Sequence, residues 1–342
     1  MRSKRRKAMI GIAVVGYGYW GPNIVRNFQE TEGAQVLVCC DLDAQRLARV
    51  KQKYPSIRVT TDYEEILNDP KVDAVAIVTP VVTHYKFARA ALEHGKHVLV
   101  EKPMAASVAE AEKLIELAAK HRLILMVNHT FIYTGAVRKM KEIIEKGDLG
   151  DLYYFDSVRI NLGLIQRDVN VLWDLAPHDV AILGYLVNEA PVSVCANGAC
   201  HTGNGIEDIA YLTVYFNSGL IAHFHNNWIA PAKIRTILVG GSKKMILYDD
   251  MESSEKIKVY DKGIELASTE AAHNALISYR LGDMWAPRLE QTEALRLVAS
   301  EFVDCIGSGR RPVTDGISGL SVVKILEASE MSIKRRGKEV KL

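Results

Sequence analysis

Gly16, Gly18 and Gly21 fall in the spacing G-x-G-x-x-G, within Gly16-Tyr-Gly-Tyr-Trp-Gly21. A turn of this kind brings bare backbone up to a pyrophosphate. Gly16 permits the tight bend, Gly18 admits the phosphates, and Gly21 lets the next helix close on the preceding strand. The flanks agree: Ile10 to Val15 reads as a buried strand, and Ile24, Val25 and Phe28 recur at helical spacing. A helix that starts here offers unpaired N–H groups and a partial positive charge to an anion. Pro22 suits its first turn, where no N–H is needed. Tyr19 and Trp20, inside the turn, join the expected dinucleotide contacts.

A carboxylate supports that reading. Gln35 to Cys40 forms the next predicted strand, and Asp41 stands at its end, about twenty residues past Gly21. There an acid accepts hydrogen bonds from the adenosine ribose hydroxyls. Asp41 also reads as a strand-end turn residue, followed by Asp43 as a helix cap. A carboxylate at that point repels a 2′-phosphate, and Leu42 rather than an arginine follows it. NAD is therefore expected in preference to NADP.

Three more stretches carry usable side chains. Thr79-Pro-Val-Val-Thr-His84 follows the apolar run Val72 to Val78. Ligands of open α/β sheets sit outside the carboxyl ends of strands, which assigns Thr79, Pro80 and His84 to the cofactor. An ordinary proline turn with Thr83 as helix cap is the alternative. Glu101-Lys-Pro103 ends the predicted strand His97 to Val100 and places Glu101 and Lys102 where cofactor and substrate meet. Pro103 holds Lys102 in extended backbone; the plainer reading is an exposed charged pair. In Trp173-Asp-Leu-Ala-Pro-His178, Asp174 and His178 are four apart and share a helix face. A carboxylate beside an imidazole orients it and raises its basicity, as general-base work near neutral pH requires. Otherwise Asp174 caps a helix and His178 lies on the surface. Two ligands without a third make no metal site, so no metal is expected. His223 and His225 share one face of a predicted strand and read as sheet-surface or subunit contacts.

The elements that position these residues fall into two grammars. Up to Val127, strand and helix alternate, which implies a parallel sheet covered on both faces. After that come the helix Gly135 to Lys146, a helix after Trp173, and from Val192 to Tyr260 a mostly period-two pattern with turns. Two helices, Glu290 to Ile306 and Ser318 to Arg335, close the chain. The expected architecture is α/β: a Rossmann parallel sheet over 8–128, then an α+β domain over 129–342 with a large, mainly antiparallel open-faced sheet.

Composition sets the class. The 342 residues are 48% hydrophobic and 25% charged, with a formal net charge of +2, as in a globular protein. The basic start, Met1 to Lys7, reads as a solvated tail, and no other basic run extends it, so no nucleic-acid partner is expected. No apolar run is long enough to span a membrane. Cys39, Cys40, Cys195, Cys200 and Cys305 are odd in number and form no C-x-x-C, which suits reduced core thiols in a cytoplasmic protein.

Together the glycine turn, Glu101-Lys-Pro103 and the Asp174–His178 helix resemble the glucose–fructose oxidoreductase / inositol dehydrogenase / rhizopine-catabolism family (Gfo/Idh/MocA) over nearly the whole chain. The resemblance implies a sugar dehydrogenase in which Lys102 contacts substrate, Asp174 positions substrate and His178, and His178 removes the hydroxyl proton while a hydride passes to the nicotinamide. It also implies a homodimer or homotetramer built through the sheet. Gly16 to Asn23, Asn170 to Asp179 and Tyr279 to Asp283 are similar to the branch found with polysaccharide genes. That branch implies oxidation of a UDP-linked amino sugar at C3. Arg159, Asn161, Arg167, Lys233 and Arg235 are then available to meet a diphosphate or carboxylate, with Asn161 and Arg167 the favoured substrate contacts. A free-sugar or inositol dehydrogenase, and a non-catalytic dinucleotide sensor, are the alternatives.

Overall fold

The computed structural model describes residues 9–163, 169–203, 205–261, 263–266, 277–280 and 282–342. The chain divides into two compact units, Met1–Tyr133 with Thr292–Lys324, and Thr134–Gln291 with Ile325–Leu342.

The first unit alternates as its sequence implies. Its elements are β1 (Ile10–Val15), α1 (Gly21–Glu30), β2 (Ala34–Cys40), α2 (Ala44–Lys53), β3 (Arg58–Thr60), α3 (Glu64–Leu67), β4 (Ala74–Ile77), α4 (Val81–Glu93), β5 (His97–Val100), α5 (Val108–His121) and β6 (Leu125–Val127). The six strands pair in parallel in the order β3-β2-β1-β4-β5-β6. Ile12 to Val14, Ala74 to Ile77 and Val98 to Val100 are buried on both sides of the sheet, which is why these strands read as unbroken apolar runs. Strand order reverses between β1 and β4, the crossing point where open sheets of this type take ligands.

The helix Ala294–Ser308 belongs to this first unit, in contrast to the expected division at 128/129. Phe302 meets Phe28 of α1 edge-on with ring centroids 6.1 Å apart. Glu293 pairs with Arg26 at 2.6 Å. Contacts between residues this distant in sequence leave no local trace.

The second unit contains α6 (Gly135–Glu145), β7 (Leu152–Leu162), α7 (Val171–Leu186), β8 (Ser193–Ala199), β9 (Ile209–Tyr215), β10 (Ile221–Asn227), β11 (Ile229–Gly241), β12 (Met245–Asp249), β13 (Ile257–Tyr260), β14 (Gly263–Leu266), β15 (Ile277–Arg280), β16 (Met284–Trp285) and β17 (Val340–Lys341). Nine strands form one sheet in the order β16-β13-β12-β11-β7-β10-β9-β8-β17. Among the described residues only the β7–β10 pair within it is parallel. Period two sorts the faces. Phe155, Ala222, Phe224 and Leu212 are buried on one face, while Tyr211 on the other is exposed and stacks on His225 with ring centroids 4.6 Å apart.

Two readings of local detail need correction. α7 starts at Val171, and its cap is Asn170, whose side chain accepts from Trp173 N–H; Asp174 is inside the helix and caps nothing. All five cysteines are free thiols, yet Cys200 is exposed and is no core residue.

Candidate active-site residues in the two units

In the first unit the three glycines answer to different demands. Gly16 has φ +98°, and a Cβ there would lie 2.4 Å from the Val78 carbonyl oxygen. A Cβ at Gly21 would lie 2.4 Å from the Gly16 carbonyl oxygen. The chain's own packing therefore excludes side chains at both positions. At Gly18 the nearest atom to such a Cβ is Arg46 Nη1 at 3.7 Å, which leaves space. α1 starts beside this opening, and its cap residue Trp20 makes no side-chain capping bond, so the helix end keeps its capacity for anions. Tyr19 is exposed and stacks on Trp20.

Asp41 is nine-tenths buried. Its Oδ2 accepts from Tyr17 N–H at 2.6 Å and its Oδ1 from Asp43 N–H at 2.8 Å. Asp43 in turn caps α2 by accepting from Gln45 and Arg46 N–H. The roles are thus divided: Asp43 is the cap, and Asp41 stays anchored beside the glycine turn. The sequence reading missed Arg46, whose guanidinium lies 3.5 Å from Asp41 and 3.3 Å from Asp43. Its position on the first turn of α2, five residues past the acid, was the available signal. A bare glycine facing open space, an available helix end and an anchored acid fit a dinucleotide.

His84 has a structural role. It is buried, with Nε2 2.8 Å from the Thr79 carbonyl oxygen and Nδ1 2.8 Å from the Pro103 carbonyl oxygen. Burial holds its pKa below the usual histidine range. Both ring nitrogens face backbone carbonyls, so His84 ties the loop after β4 to the loop after β5. Thr83 is not a helix cap either: α4 begins at Val81 after Pro80, and Thr83 Oγ1 bonds to Thr79 Oγ1 at 2.8 Å. Thr79 is half-buried and Pro80 exposed.

The β5 end holds Glu101 and Lys102, with a cis Lys102–Pro103 peptide. Asn128, just past β6, donates its amide to Glu101 Oε1. Lys102 N–H donates to Glu101 Oε2 at 3.3 Å. Burial pushes the Glu101 carboxyl up to about 7, against the Asn128 bond and the Lys102 charge, which act to lower it. His129 is 2% exposed, and neither ring nitrogen finds a hydrogen-bond partner among the described residues. Burial, then the charge of Lys102, lowers its pKa to about 3.

In the second unit α7 carries Asp174 and His178 one turn apart, with Pro177 inside the helix. Pro177 has no N–H and so leaves the Trp173 carbonyl without its usual donor. Asp174 Oδ2 accepts from the indole N–H of Trp228 at 3.0 Å. Trp228, 1% exposed, is a site residue the sequence reading missed; fifty-four positions separate it from its partner. Gly163 N–H donates to the Trp228 carbonyl at 3.1 Å, and a Cβ on Gly163 would lie 2.5 Å from Asn161 Nδ2. Asn161, Trp228 and Asp174 therefore share one neighbourhood. Arg159 does not join them: it is 3% exposed and makes a two-pronged pair with Asp179, Nε to Oδ2 at 2.8 Å and Nη2 to Oδ1 at 2.6 Å. Arg235 pairs with Asp250 at 3.4 Å, and Lys233 is exposed. Arg167, the basic tail and Leu281 lie outside the described residues. Among the described residues no group of three His, Cys, Asp or Glu could hold a metal, and no helix is long and apolar enough to cross a membrane.

Comparison with known proteins gives consistent matches. Residues 10–129 match the oxidoreductase family, NAD-binding Rossmann fold (GFO_IDH_MocA), and residues 137–247 match the GFO/IDH/MocA C-terminal domain. The uncharacterized oxidoreductase YdgJ of Escherichia coli K12 is 31% identical over 251 residues, covering 68% of this chain and 69% of that protein. The myo-inositol 2-dehydrogenase of Thermotoga maritima is 25% identical over 342 residues, covering 97% and 98%. Among solved structures, the UDP-N-acetylglucosamine 3-dehydrogenase GnnA from Acidithiobacillus ferrooxidans has a TM-score of 0.80 at 22% identity. It covers 96% of this chain and 98% of its own, which shows a common fold.

Proposed function

We propose, from the premise that this chain belongs to the Gfo/Idh/MocA oxidoreductase family, that it oxidises C3 of a UDP-linked amino sugar. The family assignment makes the chain an NAD(P)-dependent oxidoreductase acting on hydroxyl groups of sugars or inositols, and its first unit is an NAD-binding Rossmann domain. The substrate is the proposed part. The fold shared with GnnA and the sequence stretches Gly16 to Asn23 and Asn170 to Asp179 support it. A cyclitol is the second reading, favoured by the T. maritima relative, which aligns over nearly the whole chain.

NAD supplies the hydride acceptor. Lys102 hydrogen-bonds the reacting hydroxyl and lowers the cost of its deprotonation. His178 takes the hydroxyl proton, and Asp174 holds the imidazole and substrate in place. The observation that carries this assignment is the Asp174–His178 face of α7, with Asp174 itself fixed by the buried Trp228 indole. Asn161, in the same neighbourhood, contacts substrate. The exposed, aromatic face of the nine-stranded sheet around Tyr211 and His225 supports self-association. The free thiols support a cytoplasmic location.

The test is NADH formation across UDP-sugars, free hexoses and inositols, followed by His178→Asn on the substrate found. Loss of a general base lowers kcat on the order of a hundred- to ten-thousand-fold, with NAD affinity unchanged. The rising limb of kcat/KM through the histidine range should vanish in the variant. Undiminished kcat in His178→Asn refutes the base assignment, and turnover of inositols alone refutes the nucleotide sugar.

A further inference from the structure

One titratable group of the first unit has no part in the chemistry above. Glu101 ends β5, and Asn128 and His129 follow β6. All three lie at the carboxyl edge of the β4-β5-β6 half of the sheet, on the opposite side of the β1/β4 crossing from Asp41 at the end of β2. A dinucleotide with its pyrophosphate at the crossing and its adenosine ribose on Asp41 must lay its nicotinamide half over β4-β5-β6. The oxidised ring carries a formal positive charge and the reduced ring none. Whatever ionises at this edge therefore meets a charge that the reaction removes.

The surroundings of Glu101 leave it responsive to such a charge. Its two oxygens accept from a neutral amide and a backbone N–H, of Asn128 and Lys102. The Asn128 oxygen accepts from Thr130 Oγ1 at 2.8 Å, which aims the amide nitrogen at Glu101. Among the described residues, Lys102, adjacent in the chain, is the charged group shown to act on it. His129 and His84 both feel Lys102, and burial lowers the pKa of both. Interior burial outweighs the Asn128 bond and the Lys102 charge, so the carboxyl titrates at about 7.

We propose that Glu101 exchanges a proton in step with the charge of the bound cofactor. When oxidised dinucleotide binds, the Glu101 O–H bond breaks, its electron pair stays on the carboxylate oxygen, and the proton leaves to water. When the reduced form takes its place, Glu101 recovers a proton from water. This proton is separate from the hydroxyl proton taken by His178. The inference rests on dinucleotide binding at the glycine turn and is independent of the sugar's identity.

The experiment needs no substrate. The full chain is mixed with NAD⁺ or NADH in weakly buffered solution with a pH-sensitive dye, and protein fluorescence records binding. NAD⁺ should release up to about one proton per site between about pH 6 and 7.5, with release fading above about pH 8.5. NADH should release little. NAD⁺ affinity should rise over the same interval, by at most about tenfold per pH unit, because released protons and the slope of affinity are linked. Glu101→Gln should bind NAD⁺ with no release and a flat profile. Asn128→Ala, which loses a bond favouring the carboxylate, should move the release interval to higher pH. Equal release with both cofactor forms, undiminished release in Glu101→Gln, or an unmoved interval in Asn128→Ala overturns the proposal. Failure of the wild type to bind either form rejects the cofactor site itself, and is read in the fluorescence channel alone.

Discussion

Asp179 in the second unit is buried and Glu101 in the first is half-buried, and their partners set them further apart. Asp179 is 1% exposed and faces a guanidinium that matches it oxygen for nitrogen, with Ser157 Oγ adding a third bond at 2.8 Å. Glu101 faces an amide and a backbone N–H. A full opposite charge offsets hydration that a buried carboxylate loses. Neutral donors offset only part, and the proton stays on to higher pH. The carboxylate of Asp179 thus ties α7 to β7 through Arg159 and Ser157, while that of Glu101 titrates at about 7.

The largest expected effect is on the α7–β7 tie. Asp179→Ala takes from the buried Arg159 guanidinium its two-pronged carboxylate partner, at a cost of about 3–5 kcal/mol in unfolding free energy. Urea denaturation measures it; a loss below about 1 kcal/mol would mean that Arg159 finds water or another acid, and the contrast with Glu101 fails.

A smaller effect comes from the titrating group, read as stability against pH. Glu101 titrates at about 7 when folded, against an ordinary 4.5. Its contribution to stability is therefore full below 4.5 and is lost as pH rises towards 7. His129 titrates at about 3 when folded, against an ordinary 6.5. Its contribution is present above 6.5 and is lost as pH falls. Between 4.5 and 6.5 the two slopes oppose each other. Glu101→Gln removes one of them, so stability of the variant should climb by roughly 1–3 kcal/mol across that interval while the wild type stays nearly level. Parallel curves for the two proteins would show that Glu101 does not titrate there.

Asp41 stands between these two cases: backbone N–H groups hold it, and the partly exposed Arg46 lies beside it. Arg46 offsets part of the repulsion between Asp41 and a 2′-phosphate. Arg46→Ala should therefore raise the preference for NAD over NADP by a few-fold, the scale of an exposed ion pair. Paired cofactor titrations give the ratio, and an unchanged or lower preference excludes Arg46 from the ribose edge.

What could be read from the sequence divides along physical lines. The glycine turn, Asp41 and the Asp174–His178 spacing were legible because each is a short-range pattern: a backbone conformation, a strand end, a helical period. Both sheets were legible from periodicity. The tie that His84 makes was not legible because its two carbonyl partners come from separate loops. Trp228, the Arg159–Asp179 pair and the packing of Ala294–Ser308 on α1 depend on tertiary contacts that no local window contains.

The uneven crowding around the three glycines bears on how the chain can change over generations. A side chain at position 16 or 21 collides with the backbone, so such variants are removed by misfolding whether or not a cofactor is needed. Position 18 opens onto space. A methyl group there meets no protein atom closer than an ordinary contact and interferes only with an arriving phosphate. Duplicated copies released from catalysis therefore have one glycine through which dinucleotide binding can be discarded while the folded scaffold is inherited intact.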